Sequence, residues 1–235
     1  MASDPALACK VLAYAAGVLG LPPPDVYVVP EAPGEIDVVN IRGTNGGLPA
    51  LVLGRGVLEG RSDLELAFVA GRALATLRPD HLLRWPAFVP TLAELAIVVR
   101  AAIRLVARDT ELSDGDDEAG VVQYAGFLDA TLSLQLREQL SLLIRRFVAA
   151  AGTRPEIGAS VGRWSRAACF TTIRAGLLLC GDLEIAARLG QAAAAPAGID
   201  PGDVVRDLTT WSVSESYFGL RGSLGLRAVN LGFRG

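Results

Sequence analysis

Apolar residues at a spacing of three and four recur along most of this chain, and only three short stretches near the start break into β-type runs. Leu7, Val11, Leu12, Ala15 and Val18 share one stripe within Pro5 to Leu21, which predicts a helix stopped by Gly20 and by Pro22-Pro23-Pro24. Val26 to Val29 is β-branched and aromatic and bounded by prolines, so it predicts a strand; Ile36 to Ile41 and Ala50 to Leu53 predict two more. Between the last two lies Gly43 to Gly47 (GTNGG), which is turn chemistry. A capped helix then starts near Ser62 or Asp63. After Pro79 a loop or broken helix, His81 to Pro90, is held by Trp85 and Phe88. Thr91 caps a long helix to about Ala107, with Leu92, Leu95, Ala96, Val99, Ile103 and Val106 on one face. A second long helix runs from Thr131 to Ala151 with Leu132, Leu136, Leu140, Leu143, Ile144 and Phe147 on its buried face, and Arg137, Arg145 and Arg146 outside that stripe. Further helices follow over Ala159 to Leu179, Asp182 to Ala195, Ile199 to Leu208 and Ser212 to Leu226.

Strands first and helices afterwards predict a mainly helical α+β fold, with a small three-stranded sheet near the N-terminus, and not a doubly wound α/β sheet. There is no fixed-period repeat and no low-complexity linker. One domain over 1–235 is therefore expected: an N-terminal helix (1–21), the small sheet (26–54) and a helical part (62–235).

Composition narrows the function classes. With 51% apolar and 20% charged residues the 235-residue chain is globular, and its net charge of −3 gives no basic footprint for nucleic acid. Cys9, Cys169 and Cys180 are odd in number and far apart, which argues against a disulfide framework and for a reducing, cytoplasmic location. The opening apolar run has no charged n-region or clean cleavage site, so it does not read as a signal peptide. Leu92 to Val106 comes nearest to a membrane span, but Glu94, Arg100 and Arg104 interrupt it. The acidic Asp109 to Gly120 stretch has no Gly at position six and no Glu at position twelve counted from Asp114; it reads as a solvated loop and not a calcium site. No phosphate-binding glycine motif occurs.

The organising stretch is Leu51 to His81. Asn40-Ile41, Leu51-Val52-Leu53, Gly56-Val57-Leu58-Glu59, Asp63-Leu64-Glu65-Leu66-Ala67 and Val69 resemble, in order and spacing, the HtpX-like family of zinc metalloproteases (gluzincins). Cys169 to Leu177 resembles that family's third-ligand helix, and Ser212 to Leu226 loosely resembles its late helix. The resemblance implies a zincin-like helical bundle, an edge strand (Leu51, Val52, Leu53) that pairs with an extended peptide, and a zinc site. Carried over position by position, the two histidines of HExxH fall on Gly71 and Ala75, the general base on Arg72 and the third ligand on Cys169. Gly71 and Ala75 have no donor atoms, and one thiolate does not make a site. A guanidinium is no base near neutral pH. At about 5 Å and an effective dielectric of about 20 it also repels a dication by roughly 6–7 kcal/mol. Neither a metal nor another cofactor is expected. The implied protein is a degenerate, bacterial family member, a pseudoenzyme with a protein or peptide partner.

Other readings of the same residues stand beside this one. Small residues at Ala67, Gly71 and Ala75 let another helix approach closely, with no ancestral enzyme required. Arg72 either lines a vestigial cleft and holds a ligand carboxylate, or pairs internally with Glu65 or Asp182. His81, the only histidine, is a surface or loop-anchoring residue, or else the base of a Cys169/His81 hydrolase that uses no metal. The chain is alternatively a purely structural part of a larger protein.

Overall fold

The computed structural model describes residues 5–43, 46–85, 87–107, 110, 117–151 and 156–226. It is mainly helical, with one small sheet, as the pattern predicts. The order is α1 (Pro5–Val18), β1 (Asp25–Val28), β2 (Ile36–Gly43), β3 (Gly46–Leu53), α2 (Arg55–Leu58), α3 (Asp63–Thr76) and a 3₁₀ turn (Leu82–Arg84). Then come α4 (Leu92–Val106), α5 (Glu118–Thr131), α6 (Leu134–Ala151), α7 (Ile157–Cys180), α8 (Leu183–Ala194), α9 (Pro201–Ser212) and α10 (Glu215–Ser223). Of the predicted turn between β2 and β3, Thr44 and Asn45 lie outside the described residues, as do Asp109, most of the acidic stretch after it, and 152–155 before α7. Among the described residues no helix is long and apolar enough to cross a membrane.

Within the span read as one domain, the chain forms two compact units: Met1–Ala87 with Arg166–Gly235, and Phe88–Ser165. The division falls inside α7. In the first unit the sheet order is β1-β3-β2, with β1 parallel and β2 antiparallel to β3. Ala50, Leu51 and Leu53 are buried, together with Ile36 and Val38 of β2. Leu12 and Ala15 of α1, Phe68, Val69 and Leu74 of α3, Ile173 and Leu177 of α7, and Val204 and Leu208 of α9 are buried as well. Gly181, at φ 66, ends α7 in the left-handed conformation that glycine adopts without steric cost.

The position of β3 corrects the edge-strand expectation. Leu51 pairs with Val26 on one side and Val38 on the other, and Val52 and Leu53 are likewise flanked on both sides. A strand with both ladders filled has no free N–H and C=O row to offer a peptide. The uninterrupted apolar run Ala50–Leu53, with no in–out alternation, is the pattern of a strand covered on both faces.

The second unit packs Leu95, Ala102 and Ile103 of α4 against Ile144 of α6 and Ile157 and Val161 of α7. Several of its predicted core positions are not buried: Leu92, Leu136 and Leu143 are exposed, and Leu132 caps the end of α5. Helix α5 itself was not predicted. Gly120 and Gly126 weaken its pattern, and of its residues only Val121 is buried; Asp117 starts it by accepting from the Gly120 N–H at 2.8 Å.

Candidate functional site

Helix α3 is the element that carries most of the candidate residues, and its start is fixed locally. Ser62 and Glu65 form a capping box: the Ser62 N–H donates to Glu65 Oε2 at 2.9 Å, and Ser62 Oγ accepts from the Glu65 N–H at 3.4 Å. Arg188 of α8 donates to the same carboxylate, and Arg61 lies 4.0 Å from it. The Arg188 bond first, and the Ser62 backbone bond next, hold the Glu65 carboxyl down at about 2.

Two turns on, Gly71 meets α7. A Cβ there would stand 2.8 Å from the Ala175 carbonyl oxygen and 2.6 Å from Leu179 Cδ1. The contact is reciprocal: a Cβ at Gly176 would stand 2.9 Å from the Phe68 carbonyl oxygen and 2.6 Å from its ring. Each helix thus presents a glycine to the other's backbone, which is the close helix approach that the small residues of α3 predict. Ala75, one turn further, is buried, and its carbonyl accepts from His81 Nδ1 at 2.8 Å. Since a carbonyl only accepts, that bond puts the proton on Nδ1. His81 is itself buried and ties the turn after Pro79 back onto α3, so it anchors a loop. Trp85, on the other side of the 3₁₀ turn, donates from Nε1 to the Val38 carbonyl of β2 at 2.8 Å.

These bonds at His81 and Trp85 suspend Arg84 between α3 and β2, where it joins Arg72. The Arg72 guanidinium makes no internal ion pair of the kind expected with Glu65 or Asp182. Glu65 lies seven residues away, about 10 Å along the axis at 1.5 Å per residue, and already holds Arg188. Asp182 caps α8, accepting from the Ile185 N–H at 2.9 Å. Instead the Nε atoms of Arg72 and Arg84 are both shut off from solvent with no hydrogen-bond partner. A buried donor left unpaired costs about 1–3 kcal/mol, and more when charged. Burial lowers the Arg72 pKa from its ordinary value; the Cys169 sulfur opposes this most, ahead of a further lowering by the Arg84 charge and a smaller rise from Asp37.

Cys169 of α7 is buried among these groups. Burial raises its thiol pKa, and the nearby charges of Arg84, Arg72 and Arg166 only partly offset this, so the sulfur stays protonated near neutral pH. No hydrogen bond links it to His81, whose Nδ1 is taken by Ala75. The residues that would face a zinc ion therefore do not fit one: Gly71 is filled by α7, Ala75 is apolar, Arg72 is a cation and Cys169 a neutral thiol. Among the described residues no group of three or more His, Cys, Asp or Glu is placed to hold a metal ion.

Gly71, Arg72 and Ala75 thus share one helix with Cys169 beside them, whereas Leu51, Val52 and Leu53 lie in the sheet interior. Arg84 belongs to the site and was not singled out from the sequence. Its signal was there: an arginine set in Leu82-Leu83-Arg84-Trp85, with apolar neighbours on both sides and no acid three or four residues toward the C-terminus. In comparison with known proteins, the chain matches no family model, no curated protein and no solved structure.

Proposed function

We propose that this chain is a catalytically inactive, HtpX-like metalloprotease-type domain that serves as a protein- or peptide-interaction module. The observation that supports it is the refilled catalytic helix. The positions that would carry HExxH hold a glycine pressed against the Ala175 carbonyl and an arginine whose Nε has no partner among the described residues. The first closes the metal position; the second sets a cation where the family keeps its general base. Catalysis by this helix would need a general base, and Arg72 cannot be one. Because β3 is filled on both sides, recognition is assigned to side chains and not to strand addition.

The test is a library of short peptides screened by fluorescence polarisation against the wild type and Arg72→Gln. Sequence-selective peptides that bind the wild type and bind the variant at least tenfold more weakly are expected. A library that yields no selective binder overturns the reading, as does stoichiometric zinc in protein purified without chelators.

A further inference from the structure

We propose that this chain forms a two-fold symmetric dimer by pairing its edge strand β1 antiparallel with β1 of a second copy. The proposal goes beyond the interaction reading and stands without it. In the sheet order β1-β3-β2, strand β1 (Asp25–Val28) has a neighbour on one side only. The backbone groups of successive strand residues point to alternate sides, and the Val29 N–H donates to the Leu53 carbonyl at 2.9 Å. Val29, Tyr27 and Asp25 therefore face β3, and Val26 and Val28 face outward. None of the N–H and C=O groups of Val26 and Val28 has a hydrogen-bond partner among the described residues. Pro24 and Pro30, with no N–H to offer, bound this row on either side. The opposite edge of the sheet is already engaged: the Val38 carbonyl of β2 accepts from Trp85 Nε1 at 2.8 Å.

The side chains select a second copy of the chain as the occupant of this edge. Residues directly opposite each other across a ladder share a face of the sheet. One face therefore carries two cross-strand rows, Ile36 with Leu53 and Val28, and Val38 with Leu51 and Val26. Ile36, Leu53, Val38 and Leu51 are buried, but the first row ends on Val28 at 41% exposure. Tyr27, on the other face, is 48% exposed. Antiparallel pairing centred on Tyr27 sets Val26 of each copy opposite Val28 of the other. Opposed residues of a hydrogen-bonded pair bond each other in both directions, so every open group of Val26 and Val28 is used. Each apolar row then runs on into the complementary row of the second copy, and Val28 is covered. Tyr27 meets its own counterpart in the close pair between them, with Cβ atoms about 4.5–5.5 Å apart. Asp25 falls opposite Val29, so no like charges meet. The neighbouring in-phase registers set Val28 against Pro24 or Val26 against Pro30, which have no N–H to return. A two-fold axis consumes the one open edge, so the assembly closes at two.

The test is sedimentation equilibrium of the full chain at concentrations up to about 1 mM, with circular dichroism to show that each variant is folded. The wild type is expected as a dimer in reversible equilibrium with its monomer. Val28→Pro removes an outward N–H from each strand without touching the ladder to β3, and should weaken the dimer at least tenfold. Val28→Lys, which sets a charge on the same edge, is read in the same way if Val28→Pro does not fold. The register is read by cross-linking in a Cys9→Ser background, which removes the exposed native thiol. Tyr27→Cys is expected to form a disulfide between copies under mild oxidation, because its Cβ atoms come within reach of each other. Val29→Cys is not, because its two copies lie four residues apart along the ladder, about 13 Å. A wild type that stays monomeric throughout overturns the proposal, as does a mass that grows past the dimer. So does a dimer that the folded Val28 variant leaves unweakened, or one that cross-links as readily at Val29→Cys as at Tyr27→Cys.

Discussion

The close crossing of α3 and α7 is most directly tested by Gly71→Ala. In an exposed helix interior this change is favourable, because alanine is about 1 kcal/mol better than glycine there. At Gly71 the new methyl carbon would stand 2.8 Å from the Ala175 carbonyl oxygen and 2.6 Å from Leu179 Cδ1. Leu179 is itself buried, so its side chain has little space to swing away, and the carbonyl moves only if α7 moves. Overpacking of this kind costs about 1–3 kcal/mol. Set against the helix-propensity gain, the net change is expected to lie between none and a loss of about 2 kcal/mol. Gly219 of α10, in the same unit, is the internal control, since a Cβ there meets nothing within 4 Å. Gly219→Ala should stabilise by up to about 1 kcal/mol. The assay is urea unfolding followed by circular dichroism, with the midpoint compared at unchanged slope. If Gly71→Ala proves as stabilising as Gly219→Ala, the two helices do not meet backbone to backbone at this point, and the account of a closed metal position fails with it.

Three further outcomes follow from the same geometry. The quadruple variant Gly71→His, Arg72→Glu, Ala75→His and Cys169→Glu is expected not to bind zinc, because no imidazole fits where a Cβ already collides; stoichiometric zinc measured by mass spectrometry of the dialysed protein would refute this. Glu65, held at about 2 against an ordinary 4.5, contributes stability that is fully present above pH 4.5 and lost as pH falls toward 2. With Arg188 more than half exposed, that contribution is about 1–2 kcal/mol, and acid unfolding of Glu65→Gln should lack this part of the pH dependence. Native protein treated with a thiol reagent at pH 7 should label rapidly only at the exposed Cys9. Cys169 and Cys180 are buried, and burial raises both thiols, Cys180 to about 11. Rapid labelling of Cys169 would revive the thiol-hydrolase alternative.

How much of this was legible in the sequence depended on how local the cause was. The start of α3 was readable because Ser62 and Glu65 cap it within four residues, and Asp182 and Asp200 mark α8 and α9 in the same way. Strand positions were readable from β-branched runs, but strand order was not. Whether β3 is an edge or a centre depends on where β1 docks, and β1 pairs directly and in parallel with it, with β2 between them only in sequence. The uninterrupted apolar run Ala50–Leu53 was the available clue, and the expected family geometry overrode it. On α6, helical spacing marked Leu136 and Leu143 as core, yet the apolar face lies over Leu140, Ile144 and Phe147, since periodicity gives a stripe and not its centre.

The site divides along the same line. Gly71 and Ala75 announce a close helix crossing by their size alone, and α7 takes that place. Arg72 announces only a charge, and each of its expected partners is already engaged elsewhere, Glu65 by Arg188 and Asp182 by the α8 N-terminus. What stands near it instead is Arg84, brought there by two hydrogen bonds from flanking residues to backbone carbonyls, one on α3 and one on β2. No spacing rule encodes such an encounter, because it depends on a turn folding back over a strand forty-seven residues upstream of Trp85. Like charges with buried, unpaired donors are unfavourable for the isolated chain. The unpaired Nε of Arg72 is therefore a property of the assembled fold, and no window of the sequence around it would have shown it.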